Sequence, residues 1–155
     1  MLKLLKDKAL VARRFSIANW MTLMEAWWLL LFFNLTLRLK SYDHLSNSSF
    51  PQPEKLPDSS HTLTITQKLQ PLVGYASRLH PIPMTCLVKS LALQKMLSKR
   101  SIPAQVKIGT QKIHNALYAH AWVEVNGVPI GEASDLTQKF HVLESIANLH
   151  HRNFV

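Results

Sequence analysis

The single cysteine of the chain and one of its histidines stand where a nucleophilic site would need them. Cys86 is the only thiol in 155 residues, and it begins an amphipathic pattern that predicts a helix over 86–100. Unpaired N–H groups at a helix N-terminus stabilise a thiolate and can hold the oxyanion of a tetrahedral intermediate. His120 lies in an alternating segment, 117–125, that predicts a strand. An imidazole there can accept the thiol proton and return it to a leaving amine. The pair indicates attack on an acyl group, although a lone cysteine is also common as a small buried apolar residue.

An acid is needed on the other ring nitrogen of the histidine, and two acids compete for that role. The dipeptide Asn126-Gly127 predicts a two-residue hairpin turn after the strand that carries His120. Strict alternation beyond this turn puts Glu132 on the face away from His120 and puts Asp135 on the same face. A bulge at Gly131 would turn Glu132 over, and glycine is the residue expected at such a bulge. The residues alone leave both acids open.

Metal and phosphate chemistry have no matching motif. One cysteine excludes an internal disulfide and a multi-cysteine zinc cage, and four glycines are too few for a glycine-rich phosphate loop. Six further histidines form no zinc-binding pattern with a third ligand. They are His44, His61, His114, His141, His150 and His151. We therefore expect no metal and no cofactor.

The N-terminal part of the chain predicts helix and is strongly apolar. The segment Ile17–Leu39 approaches the length of a transmembrane span. It contains Glu25, which would be costly in lipid, together with Asn34 and two threonines. The apolar run begins late for a signal peptide and is followed by no small-residue cleavage site. We therefore expect a long helix buried in a small domain, rather than a membrane anchor.

Charge and composition divide the chain into three parts. Residues 1–42 hold seven basic and two acidic side chains, and residues 43–85 hold three basic and three acidic side chains. Residues 86–155 hold eight basic and four acidic side chains, so the net charge of the whole chain is +9. No block of like charges of the kind found in nucleic-acid-binding tails occurs. A Ser/Pro-rich stretch at 46–60 predicts a linker between an N-terminal helical segment, 1–45, and a core, 61–155.

The core segment predicts an α+β arrangement. Helical spacing over Thr62–Leu79 precedes the helix of Cys86, and Pro71 is expected to break or kink it. Strands are predicted over 104–109 and 117–125, with a returning strand at 128–130. The tail predicts a partial helix around Val142–Leu149. A nucleophile helix would thus pack on a small antiparallel sheet.

Two stretches carry a family resemblance. They are PMTCLVKSLALQKMLSKRSIPAQVKIGTQK and AHAWVEVNGVPIGE, within residues 79–140. They resemble the transglutaminase-like cysteine protease of lasso peptide biosynthesis, which is the leader peptidase that forms the C-terminal half of the B protein and also occurs as a stand-alone chain. The resemblance implies a transglutaminase/papain-like core and a Cys-His-Asp triad. Cys86 and His120 match that triad directly, and its aspartate aligns with Glu132, which leaves Asp135 as the alternative.

The resemblance also implies a reaction and its partners. A ribosomally made precursor would lose its leader in the cytoplasm, and a cyclase resembling asparagine synthetase would then close the macrolactam. A separate recognition protein, resembling the pyrroloquinoline quinone chaperone, would deliver the leader. The apolar and basic N-terminal helices are the candidate docking surface for it.

Two other functions fit parts of the same sequence. An acyl-transferring transglutaminase would use the same Cys-His-acid residues and pass the acyl group to an amine instead of water. A non-catalytic, membrane-associated adaptor would instead be built on residues 17–39. A Cys86→Ala variant that still supports product formation would favour the adaptor.

Overall fold

The computed structural model describes residues 17–39, 59–114, 116–132 and 139–143. These residues form three helices and a four-stranded antiparallel sheet, which confirms the α+β prediction. The predicted linker 46–60 lies almost entirely outside the described residues, and so does Asp135. The elements in chain order are α1 (Ile17–Leu39), α2 (Ser59–Leu79), α3 (Cys86–Ser98), β1 (Gln105–Ile113), β2 (Ala116–Val125), β3 (Val128–Pro129) and β4 (His141–Leu143).

The sheet has the strand order β3-β2-β1-β4, and each neighbouring pair is antiparallel. The turn after β2 has positive φ at both Asn126 (52°) and Gly127 (76°), as the predicted two-residue turn requires. It pairs Val125 with Val128 in the predicted register. The helix expected from Val142 is wrong at its start, because residues 141–143 form the edge strand that pairs with β1. A three-residue apolar segment cannot reveal by periodicity alone that it will join a sheet.

A short segment connects α2 to α3, the helix that begins at Cys86. Pro71 lies inside α2 and does not break it, so the predicted interruption is wrong in that respect. The residue is exposed, and a helix that is held by tertiary packing on its other face tolerates the loss of one N–H donor. Pro81 and Pro83 follow the end of α2, and α3 then begins at Cys86 as predicted, directly after the N-cap residue Thr85.

The core lies between α3, the two other helices and one face of the sheet. Apolar side chains of α3 face both layers, because this helix contacts α1, α2, β1 and β2. Its buried side chains Leu91, Met96 and Leu97 join those of α1 and α2 and the strand residues Val106 and Val123 in one cluster. The position of α3 is therefore set by packing on both of its sides.

The helix α1 is buried on one face only, which corrects the expectation of a long helix buried inside the domain. Its inner face packs through Leu23, Ala26, Leu30 and Phe33 against α2 and α3. Its outer face exposes a continuous row of large apolar side chains at helical spacing. They are Ile17, Met21, Met24, Trp28, Phe32, Leu35 and Leu39, which we call the α1 outer stripe. By length and composition α1 also has the properties of a membrane span.

Glu25 explains how an acid is accommodated in this apolar helix. Its carboxylate accepts hydrogen bonds from Arg100 Nη2 at 2.8 Å and from Lys99 Nζ at 3.0 Å, at the C-terminal end of α3. Burial raises the pKa of Glu25, but the hydrogen bonds and positive charges of Arg100 and Lys99 outweigh burial, so the pKa lies below its ordinary value. The carboxylate thus ties α1 to the end of α3.

Glu25→Gln should lower the free energy of unfolding at pH 7 by about 1 kcal/mol, because the cluster is partly exposed and screened by solvent. A carboxylate whose pKa is lower in the folded chain stabilises the fold above its unfolded pKa, and this contribution is lost as the pH falls through the folded pKa. The difference between the variant and the native protein should therefore shrink in urea titrations as the pH is lowered through the acid range. Arg38→Gln on the same helix is the control, and an equal loss in that variant would contradict the assignment.

Candidate active site

The nucleophile candidate stands on the first turn of a capped helix. Cys86 is half-buried and is the first residue of α3. The hydroxyl oxygen of Thr85 accepts a hydrogen bond from Val88 N–H at 3.3 Å, and Lys89 N–H bonds to the Thr85 carbonyl at 3.1 Å. The helix itself offers no acceptor for the N–H groups of Cys86 and Leu87. These two groups and the positive end of the helix dipole are therefore available to an anion at the sulfur.

The base candidate is joined to one of the two predicted acids. His120 Nε2 lies 3.0 Å from Glu132 Oε1, and each side chain is about 30 % exposed. Regular pairing ends when Ile130 N–H donates to the Val123 carbonyl at 2.9 Å. Gly131 follows with a φ of +72°, a left-handed conformation that breaks the alternation and allows Glu132 to reach the face of His120. The irregularity expected at this glycine is thus present.

This contact determines which ring nitrogen is left for the thiol. With Nε2 held by the carboxylate of Glu132, Nδ1 is the nitrogen that remains for proton exchange with Cys86. The hydrogen bonds among the described residues include none between the Cys86 thiol and the imidazole. Contacts of this kind commonly tighten only when substrate binds.

A buried hydrogen bond fixes the helix of Cys86 to the strand of His120. The Ser90 hydroxyl donates to the Ala121 carbonyl at 3.0 Å. Ser90 is one turn beyond Cys86 on α3, and Ala121 directly follows His120 on β2. One bond therefore holds the two elements together beside both candidate catalytic residues.

Two aromatic side chains pack against the imidazole. Trp122 and Phe140 lie with ring centroids 6.2 Å and 5.7 Å from that of His120. The indole of Trp122 crosses Gly109 so closely that a Cβ atom there would come within 2.8 Å of its ring and 2.9 Å of Phe140. Trp122 Nε1 donates to Glu124 at 2.9 Å, which satisfies the buried indole. The absent side chain of Gly109 is what lets the aromatic rings pack beside His120.

Cys86, His120 and Glu132 line one cleft with a volume of about 250 Å³. The chain contributes a second wall from α2, through Gln70, Gly74 and Arg78, and α3 adds Lys89, Ser90 and Leu93. The triad predicted from the sequence, with Glu132 as its third member, is therefore gathered at a single opening. Among the described residues, no group of three or more His, Cys, Asp or Glu side chains could hold a metal ion.

Sequence reasoning missed three supports of the site. The wall supplied by α2 was missed because helical periodicity does not say which helix will flank a cleft. The Ser90–Ala121 bond carries no sequence signal of its own. Gly109 did carry a signal, since an isolated glycine in an alternating strand often marks a close approach of another group.

Comparisons with known proteins agree with this architecture. The model of the transglutaminase-like superfamily matches residues 28–145, which are most of the chain. The microcin J25-processing protein McjB of Escherichia coli is 38 % identical over 61 residues, which make up 39 % of this chain. The match spans only 28 % of the length of McjB. No solved structure matches the chain significantly.

The family resemblance implies cleavage of a leader peptide, which a single-turnover assay can measure. Glu132→Gln should slow this cleavage by orders of magnitude, because the imidazole loses the charge that orients it. The fold should remain intact. Asp135→Asn is the matched comparison and should stay close to the native rate. Nitrogen-15 NMR of the histidine rings should show a changed tautomer distribution for His120 only in Glu132→Gln. The opposite ranking of the two variants would assign the role to Asp135.

Proposed function

Because the chain belongs to the transglutaminase-like superfamily, we propose that it is a cysteine peptidase that removes the leader from a ribosomally synthesised lasso peptide precursor. The observation that carries this proposal is the cleft shared by Cys86, His120 and Glu132, in which the carboxylate already bonds the imidazole. The similarity to McjB, which is named as a processing protein for microcin J25, supports a role in lasso peptide processing.

In the proposed mechanism, His120 takes the proton of the Cys86 thiol and the sulfur attacks the carbonyl carbon of the leader–core amide. The N–H groups at the start of α3 stabilise the oxyanion that forms. The imidazolium then gives its proton to the leaving amine, the C–N bond breaks, and the leader remains as a thioester on Cys86. Water, deprotonated by His120, attacks the thioester and releases the leader with a free carboxylate. Glu132 holds the ring orientation through both steps.

The α1 outer stripe is the proposed docking surface for the separate leader-recognition protein, which would resemble the pyrroloquinoline quinone chaperone. The stripe is a long apolar surface on the part of the chain that the structure describes, and it lies on a helix whose inner face is fixed in the core. Apolar faces of this extent commonly mark interaction sites. The macrolactam-forming cyclase is the further partner in this proposal, and the reaction is placed in the cytoplasm.

Mass spectrometry of a candidate precursor, incubated with the chain and the recognition protein, should show free leader and core. Modification by iodoacetamide should abolish the cleavage, and because Cys86 is the only thiol, the modified atom is known without mapping. Cys86→Ala should be inactive, while Ser98→Ala on the same helix should cleave normally. A leader joined to an amine would indicate acyl transfer, and products formed by Cys86→Ala would contradict both enzymatic functions.

The double substitution Trp28→Ser, Phe32→Ser in the α1 outer stripe should reduce affinity for the recognition protein and slow leader cleavage, with an unchanged rate of Cys86 alkylation. Leu63→Ser with Leu79→Ser removes exposed apolar side chains from α2 and is the matched control. Calorimetry measures the affinity. If the α1 variant binds the partner as tightly as the native protein but no longer sediments with lipid vesicles, the stripe is a membrane contact instead.

A further inference from the structure

The described residues that line the cleft include more cationic than acidic side chains. Glu132, the one acid among its described lining residues, is bonded to His120. Two cations, Lys89 and Arg78, line the same cleft, and neither forms an ion pair with a carboxylate of the described residues. The cleft thus holds positive charge that its own described acid does not neutralise.

Lys89 lies beside the nucleophile. It stands three residues after Cys86 on α3, a spacing that puts two side chains next to each other on a helix surface, about 5–6 Å apart at their Cβ atoms. The residue is half-buried, and its backbone N–H is used by the helix. Its ammonium group can therefore contact a substrate group close to the bond that Cys86 attacks.

Arg78 belongs to the second wall. Gln70, Gly74 and Arg78 are spaced four residues apart on α2, so one face of this helix borders the cleft. Apart from its chain neighbours and the backbone of its own helix, no atom lies within 4 Å of the place where Gly74 would carry a Cβ, which leaves open space beside α2. The guanidinium of Arg78 lies 5.6 Å from the ring centroid of Tyr75, a cation–π contact that restricts its motion.

We propose that Lys89 and Arg78 are specificity-determining residues that select substrates with an acidic side chain next to the scissile peptide bond. An ammonium group and a guanidinium fork bind carboxylates through charge-assisted hydrogen bonds, and a partly enclosed cleft concentrates their field. The proposal rests on the proposed peptidase function for its substrate, but the charge of the cleft can be measured without any cleavage.

The test uses the unique thiol as the reporter of local charge. Two rates of Cys86 alkylation are compared, one with anionic iodoacetate and one with neutral iodoacetamide. Their ratio cancels differences in thiolate reactivity and reports the local electrostatic effect. This ratio should be about tenfold higher in the folded protein than in the protein unfolded in urea at equal ionic strength, and 0.5 M or so of added salt should reduce it. Lys89→Gln and Arg78→Gln should each lower the ratio about threefold or more.

Lys68→Gln is the matched control, since Lys68 is an exposed cation of α2 that does not line the cleft. An unchanged ratio in Lys89→Gln and Arg78→Gln would overturn the proposal. An equal fall in Lys68→Gln would do the same, because it would trace the effect to the net charge of the chain.

A second measurement addresses the substrate. The peptide acetyl-Ala-Ala-Glu-Ala-Ala-amide should protect Cys86 from iodoacetamide at lower concentration than its Gln counterpart, and Lys89→Glu should reverse this order in favour of a Lys counterpart. Equal protection by all three peptides would contradict the acidic preference. If the alkylation ratios behave as expected while no precursor is cleaved, the peptidase proposal fails and the cationic cleft stands. If the precursor is cleaved while the alkylation ratios do not differ between the native protein and the variants, the peptidase proposal stands and the proposed acidic preference fails.

Discussion

The arrangement of the site depends on one joint between a helix and a strand. A buried bond from the Ser90 hydroxyl to the Ala121 carbonyl holds α3 to β2 within one turn of the thiol and one residue of the imidazole. Breaking it would leave two buried polar groups unsatisfied, which costs more than the bond itself contributes. Packing reinforces the joint, because α3 is pressed on the sheet by the helices behind it. The separation of Cys86 and His120 is thus fixed by the core.

The sequence predicted the elements that local chemistry specifies. The amphipathic pattern that begins at Cys86 predicted the start of α3, and Asn126-Gly127 predicted a turn whose two residues both need positive φ. In both cases the physical cause lies within a few residues. The choice between Glu132 and Asp135 was different. Strict alternation favoured Asp135, whereas a bulge at Gly131 would interrupt the alternation and favour Glu132. The left-handed conformation of Gly131 brings Glu132 to His120, and no periodic pattern could have measured that angle.

What could not be predicted depends on distant partners. The outer face of α1 is as apolar as its inner face, so hydrophobicity did not reveal which half would be buried. The strand β4 forms by pairing with the edge of β1. The helix α2 lines the cleft because of how it packs beside α3 and the sheet. Pro71 was expected to interrupt α2, but tertiary contacts on the opposite face keep the helix continuous. In each case packing decided among structures that local propensity allowed.

The support of His120 by Phe140 gives the site an order of assembly during synthesis. Of the three candidate catalytic residues, Cys86 leaves the ribosome first, followed by His120 and then Glu132. The ring at 140 and the strand that carries the chain back to β1 come last. Until that strand pairs, His120 lacks the ring of Phe140, and Glu132 and Trp122 are its remaining partners among the described residues. In chain order, the candidate thiol therefore precedes the last group that contacts the candidate base, so the surroundings of the imidazole are complete only once residue 140 is in place.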